Sequence, residues 1–269
     1  MNASARPATV LSASVEGIGY WSRGLPDWTA ARAYAQGGDA VDAAPARPSP
    51  QSLPANERRR APETVAAALE VAAAACAAAG REPASLSSVF VSSHGDMAIT
   101  DYMCATLAHD PRAISPTRFH NSVHNAAAGY WTIGVGAMRP ATALSALEGG
   151  FAQGLLEALA QLAAGEDAVL LAGYDGAAYG PLAAVAPSQG LLGAALVLGR
   201  APRAGAPTLH ARLGPAPEAA ATPGRLRRRD PLNASAPMLD LFDALATGAG
   251  AVALPAGGGS GVWLELRHD

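Results

Sequence analysis

Cysteine is scarce in this chain of 269 residues: Cys76 and Cys104 are its two thiols. Two cysteines make neither a disulfide framework nor a zinc site. Cys76 lies inside VAAAACAAAG and reads as a small, buried apolar residue. Charge is scarce too, at 15% of residues and a net −3, which leaves no basic footprint for nucleic acid. Long apolar runs are missing. The best of them, residues 65–80, contains Glu70 and is too short and too weakly hydrophobic to span a bilayer. The first residues, MNASARPATVLSASVEG, lack the apolar core of a signal peptide. These absences point to a cytoplasmic protein with no metal, no cofactor, no membrane span and no nucleic-acid partner.

Half of the residues are hydrophobic, so the chain is globular and long enough for one large domain or two small ones. Much of that content is alanine, which suits closely packed helices. A strand is expected over 9–16, a surface loop over 39–56, and a helix from Pro62 to its stop at Gly80. SSVFVSSHG reads as a buried strand, 99–108 as a short helix, and HDPRAISPTRFHN as a loop. Another helix begins in SVHNAAAGYWTIGVGA. Three strands follow in GEDAVLLAGYDGA, GLLGAALVLGR and PTLHARLG, then a proline-broken connection over 215–231. A helix over 236–246 and a strand in SGVWLELRHD end the chain. Strands alternating with helices argue for an α/β layered fold. The arginine runs 58–60 and 227–229 read either as solvated charge or as a surface for an acidic carrier or partner.

One stretch carries an unusual shape. RPATALSALEGGFAQG begins as a buried strand over 141–146 and continues as an amphipathic helix to about Ala163. Glu148, Gly149 and Gly150 make the bend between them. Strand, sharp turn and helix is how enzymes present a nucleophile, because a helix N-terminus favours an anion. A carboxylate at that bend is no evident nucleophile. A Ser92, His94, Asp96 hydrolase triad is the weakest alternative, since residues two apart on an extended segment point the same way without facing each other.

Taken in order, NAAAG at 125–129, the small-residue strand after Pro140, the helix containing Gly154, VLLAGYDG and GAALVLGR resemble the N-terminal half of β-ketoacyl synthases. The resemblance covers about residues 55–200 and implies a thiolase-like αβαβα fold. It implies a division into a synthase-like half, 1–200, and a strongly truncated second half, 201–269, packed into the same domain. It also places the family's catalytic cysteine at Glu148. A glutamate there would form only a mixed anhydride that water hydrolyses, so it is no surrogate for a thiolate. The two histidines that condensation takes from the second half have no counterpart, because His210 and His268 lack the family's neighbours.

The segment RFHNSVHNAAAGYW is similar to a short chain-length-factor subfamily found with aryl polyene pathways. That likeness implies a subunit inactive by itself, paired with an active β-ketoacyl synthase and meeting acyl carrier protein indirectly. Such a subunit shapes the end of an acyl tunnel at the interface, and the isolated chain can self-associate. By the same likeness the tunnel floor falls on Phe119, His120, Ser122 and Val123, with Tyr102, Met103 and Thr106 as second contributors; core or ordinary interface packing is the plainer role for all seven. Glu148 is then expected to cap its own helix or to meet the partner. A decarboxylating priming enzyme and a stand-alone acyl-binding scaffold remain as alternatives.

Overall fold

The computed structural model describes residues 10–218 and 222–268. Strands β1 (Leu11–Ser22), β2 (Ser87–Val91), β3 (Ala141–Leu144), β4 (Ala168–Asp175), β5 (Leu192–Gly199), β6 (Thr208–Pro215), β7 (Ala251–Gly257) and β8 (Ser260–Arg267) form one sheet, ordered β3-β2-β4-β5-β1-β6-β8-β7. The helices are α1 (Trp28–Ala35), α2 (Ala55–Arg58), α3 (Glu63–Ala79), α4 (Met97–His109), α5 (Pro116–Asn121), α6 (Ala126–Val135), α7 (Gly150–Ala164), α8 (Arg225–Arg229) and α9 (Leu239–Thr247).

The continuous apolar runs of β4 and β5 are buried on both faces, as such runs require. Val169 and Leu171 of β4 join one core with α7 and α9, whereas Leu170 and Ala172 join the other with α3 and α6. The alanines of α3 have a packing reason. A Cβ on Gly17 or Gly19 of β1 would stand 2.2 Å from Ala75 O or 2.0 Å from Val71 O. Glycine on the strand and alanine on the helix let the two backbones approach closely.

β1 is shared by two parts of the sheet. Leu11–Ser14 pairs with β6 and Ser14–Ser22 with β5, and the register shifts between Val15 and Gly17. At that bulge Glu16 is nearly fully buried and accepts from Arg81 Nε and Nη2 at 2.7 and 2.8 Å. Beyond it the sheet curls, so that α7 packs on β2 and β4 and also on β7 at the far end of the strand order. The layers are therefore α3 with α6, the β3-to-β1 part, α7 with α9, and the β6-β8-β7 part. Among the described residues no helix packs on the outer face of the last layer, which carries His210, Arg212, Trp263 and Glu265. Among the described residues the outermost helical layer of the expected αβαβα stack is therefore not present.

Several local expectations change. β1 runs six residues beyond Glu16 because its aromatic and glycine positions continue the pairing. Residues 141–144 form an edge strand that is only partly buried, since β3 has β2 alone as a neighbour. The supposed loop 109–121 holds α5, which Ser115 caps by accepting from Arg118 N at 3.4 Å, with Pro116 as its first residue.

Candidate functional site

The bend after β3 is built as the sequence suggested. Leu147–Gly149 forms a 3₁₀ turn and α7 starts at Gly150. Leu147 has φ +48°, the one positive value outside glycine among the described residues. Gly149 is buried against β7: a Cβ there would lie 2.6 Å from the carbonyl carbon of Ala256 and 2.8 Å from its oxygen. Gln153 Nε2 donates to the same oxygen at 2.7 Å, so the first turn of α7 is fastened to β7 twice.

Glu148 does not cap α7. The N-cap is Gly149, no side chain bonds the free N–H groups, and Glu148 is exposed. The carboxylate belongs to the residue before the N-cap. It lies on the wall of a groove of about 1100 Å³ with Arg227, Arg228, Asp240 and Asp243. Burial, the largest effect, raises the pKa of Asp240 and of Asp243, and Asp243 also accepts from Leu226 N and Arg227 N at 3.0 Å. The run 227–229 is thus partly fixed: Arg229 donates to Arg23 O at 2.7 Å, and its guanidinium lies over Tyr34.

Beneath the bend is a buried polar hub. Asp175, at the end of β4, is 1% exposed and forms no salt bridge among the described residues. Its carboxylate accepts from Ser92 Oγ (2.7 Å), Ser93 N (3.0 Å), His94 N (3.3 Å) and Ser235 Oγ (2.6 Å). From the hub, Ser93 Oγ donates to Leu147 O at 3.2 Å and Ser145 Oγ to Ser93 O at 2.9 Å. The hub also rules out the triad geometry. Ser92 Oγ is spent on Asp175, while Asp96 accepts from Ile99 N at 2.9 Å as the cap of α4 and from Thr64 Oγ1 at 2.8 Å. His124 Nε2 is 2.9 Å from Ser92 O.

No thiol stands at the bend. Cys76 is buried in α3, where desolvation, with Glu82 adding to it, pushes its pKa up to about 12. Cys104 is exposed on α4.

A scan of protein families matches residues 28–253 to the β-ketoacyl synthase N-terminal domain. The chain belongs to that family. No curated protein matches it. Among solved structures, a chain of the ketosynthase (ApeO) in complex with its chain length factor (ApeC) from Xenorhabdus doucetiae is 22% identical, with 95% of this chain and 99% of that chain covered and a TM-score of 0.73. The ishigamide ketosynthase/chain length factor gives 13%, 96%, 99% and 0.70. A type II acyl-carrier protein complex with its ketosynthase bound to the hexaketide, AntDE:AntF, gives 14%, 97%, 100% and 0.71. At these identities the likeness is one of fold, and it is the thiolase-like ketosynthase fold.

Within the family frame, the seven residues expected at a tunnel lie together on one surface layer. Tyr102, Met103 and Thr106 are on α4; Phe119 and His120 are on α5; Ser122 and Val123 follow it. Ser115 N donates to Tyr102 Oη at 3.1 Å, Arg118 sits 4.1 Å over the Tyr102 ring, and His120 meets Tyr130 edge-on. None of the seven lines the groove that Glu148 borders or the cavity between α3, α4 and α5. Phe119 (60%), His120 and Val123 (48%) are exposed, and Tyr102, Met103, Thr106 and Ser122 are half-buried. The residues that sequence reasoning missed are Asp175 and its serines. Small polar residues closing two strands, SSHGD and YDG, were the available signal.

Proposed function

We propose that this chain is the non-catalytic, chain-length-factor subunit of a heterodimer with an active β-ketoacyl synthase in polyene-type biosynthesis. The observation that carries this reading is the bend itself, fully built and fastened, with the carboxylate of Glu148 and no thiol at the position that the resemblance assigns to the family's cysteine. Residues 1–200 act as the synthase-like half and 201–269 as the pared second half, in a cytoplasmic complex that meets acyl carrier protein through the synthase.

An uncovered apolar side supports the pairing. α4 buries only Met97 within the protomer although Ile99, Met103 and Leu107 are apolar. α4 packs on α5, Tyr130 Oη of α6 donates to Asn121 Oδ1 at 3.0 Å, and α6 packs on the edge strand β3. Phe119, Val123, Ile133 and Met138 are exposed along this contiguous side. An open strand edge beside such a patch is what a partner subunit covers. The complexes similar in fold are themselves ketosynthase/chain length factor pairs. A wall from the second subunit then limits the length of an apolar chain anchored on the synthase cysteine.

Co-expression with a cognate synthase tests the reading. A stable heterodimer is expected, with condensing activity absent from this chain alone, and Ser122→Trp or Val123→Trp shortening the carrier-bound products seen by mass spectrometry. Condensation by the purified chain alone refutes the proposal; unchanged product length removes those residues from the tunnel.

A further inference from the structure

An exposed leucine needs no explanation by itself, because folded proteins leave many apolar atoms in water. Leu147 is different, since it is 65% exposed and also held at φ +48°. In that region the Cβ of an L-residue crowds the backbone, and glycine or asparagine is the residue that fits. The turn is nevertheless locked, with Ser93 Oγ on Leu147 O at 3.2 Å and Ser93 N on Asp175 at 3.0 Å. Inside the protomer nothing compensates for the choice of leucine. Its side chain is not part of the groove beside β7 that neighbouring Glu148 lines. Local strain kept without an internal benefit points to use elsewhere. The tip stands three residues beyond the edge strand β3, on the way into α7.

We propose that Leu147 is an interface anchor, an apolar side chain held out by left-handed backbone for insertion into an apolar pocket of the second subunit. The inference rests on the heterodimer reading above and names a residue of that contact. The pocket it fits is apolar, because the side chain has no polar group and the carbonyl is already bonded to Ser93.

Two variants separate strain from contact. Leu147→Gly relieves the backbone and removes the side chain; Leu147→Asn tolerates the left-handed region and replaces the apolar group by a polar one. For the isolated chain, Leu147→Gly is expected to raise the melting temperature by about 2–4 °C. Both variants are expected to weaken binding to the co-expressed synthase by at least about tenfold, measured by titration calorimetry. A complex formed by the wild-type chain and equally well by both variants overturns the anchor and leaves the heterodimer standing. Failure of the wild-type chain to bind overturns both. A melting temperature unchanged or lowered in Leu147→Gly overturns the strain on which the anchor is argued.

Discussion

Replacing Asp175 by alanine tests whether the hub holds this end of the molecule together. The carboxylate is 1% exposed and serves Ser92 Oγ, Ser93 N, His94 N and Ser235 Oγ. Removing it strands four donors, and each buried donor left unpaired costs about 1–3 kcal/mol. These costs do not add fully, because a water entering the vacated space restores some bonds. Four such donors, partly served by water, give an expected loss of about 3–5 kcal/mol. Against a total stability of about 5–15 kcal/mol that is a large share. At about 2–4 °C per kcal/mol for a chain of this size, the melting temperature falls by roughly 6–20 °C. Urea titration gives the direct measure, with the midpoint lowered and the slope unchanged. Asp175→Asn keeps one acceptor and sets an amide against a donor, so its loss is expected to be smaller than that of alanine. A loss under about 1 kcal/mol in Asp175→Ala would show that the hub is not what fixes the bend.

Three other perturbations probe the same region. Gly149→Ala places a methyl 2.6 Å from the Ala256 carbonyl carbon and is expected to cost about 1–3 kcal/mol by overpacking, read from thermal or urea unfolding; an unshifted midpoint would contradict the close contact with β7. Glu148→Ala is expected to change stability by less than about 0.5 kcal/mol, because the side chain is exposed and bonds no helix N–H; a loss above 1 kcal/mol would restore the capping role. Asp230→Asn is a test by pH. Burial, partly offset by Arg229 and Ser22, raises the Asp230 pKa above its ordinary 3.8. A carboxyl with a raised folded pKa binds its proton more tightly when folded, so its contribution falls as pH rises from the unfolded value through the folded one. The variant is expected to melt above the wild type at neutral pH, with the gap closing toward pH 4; a gap independent of pH would place the effect elsewhere.

How much of this was legible in sequence depended on what each element asks of its residues. β4 and β5 are read from unbroken apolar runs, and α3 from alanine and leucine ended by Gly80 in left-handed geometry. β7 was missed because AVALPAG contains a proline and runs into three glycines. At a sheet edge the proline costs no ladder bond, and all three glycines have positive φ in the β7–β8 connection. α5 was missed because two prolines suggested a loop, although one of them opens a helix that Ser115 caps. The position of Glu148 came from motif order, which survives low identity. Its hydrogen bonding did not, because a one-residue difference in where α7 begins decides whether a carboxylate caps or points outward. Of the hub, the sequence shows only the small polar residues that close β2 and β4; that Ser92, Asp175 and Ser235 meet follows from the pairing of β2 with β4 and the return of the chain before α9.

The persistence of a bend without a nucleophile has a structural explanation. The bend is where the curled sheet closes: β7, last in the strand order, packs on Gly149 and receives the Gln153 bond, while the loop after β2 is tied to Leu147 and Ser145. The turn is thereby held from two ends of the sheet, and undoing it would unfasten α7 from both. Constraint falls on Gly149 and on the serines, whose positions are fixed by backbone contact and buried bonds. It does not fall on the Glu148 side chain, which projects from the turn into a groove and makes no bond to its own helix. One position in the turn is therefore free to vary while the turn remains indispensable to the fold. The physical separation of those two roles lets the residue at position 148 vary without cost to the turn that carries it.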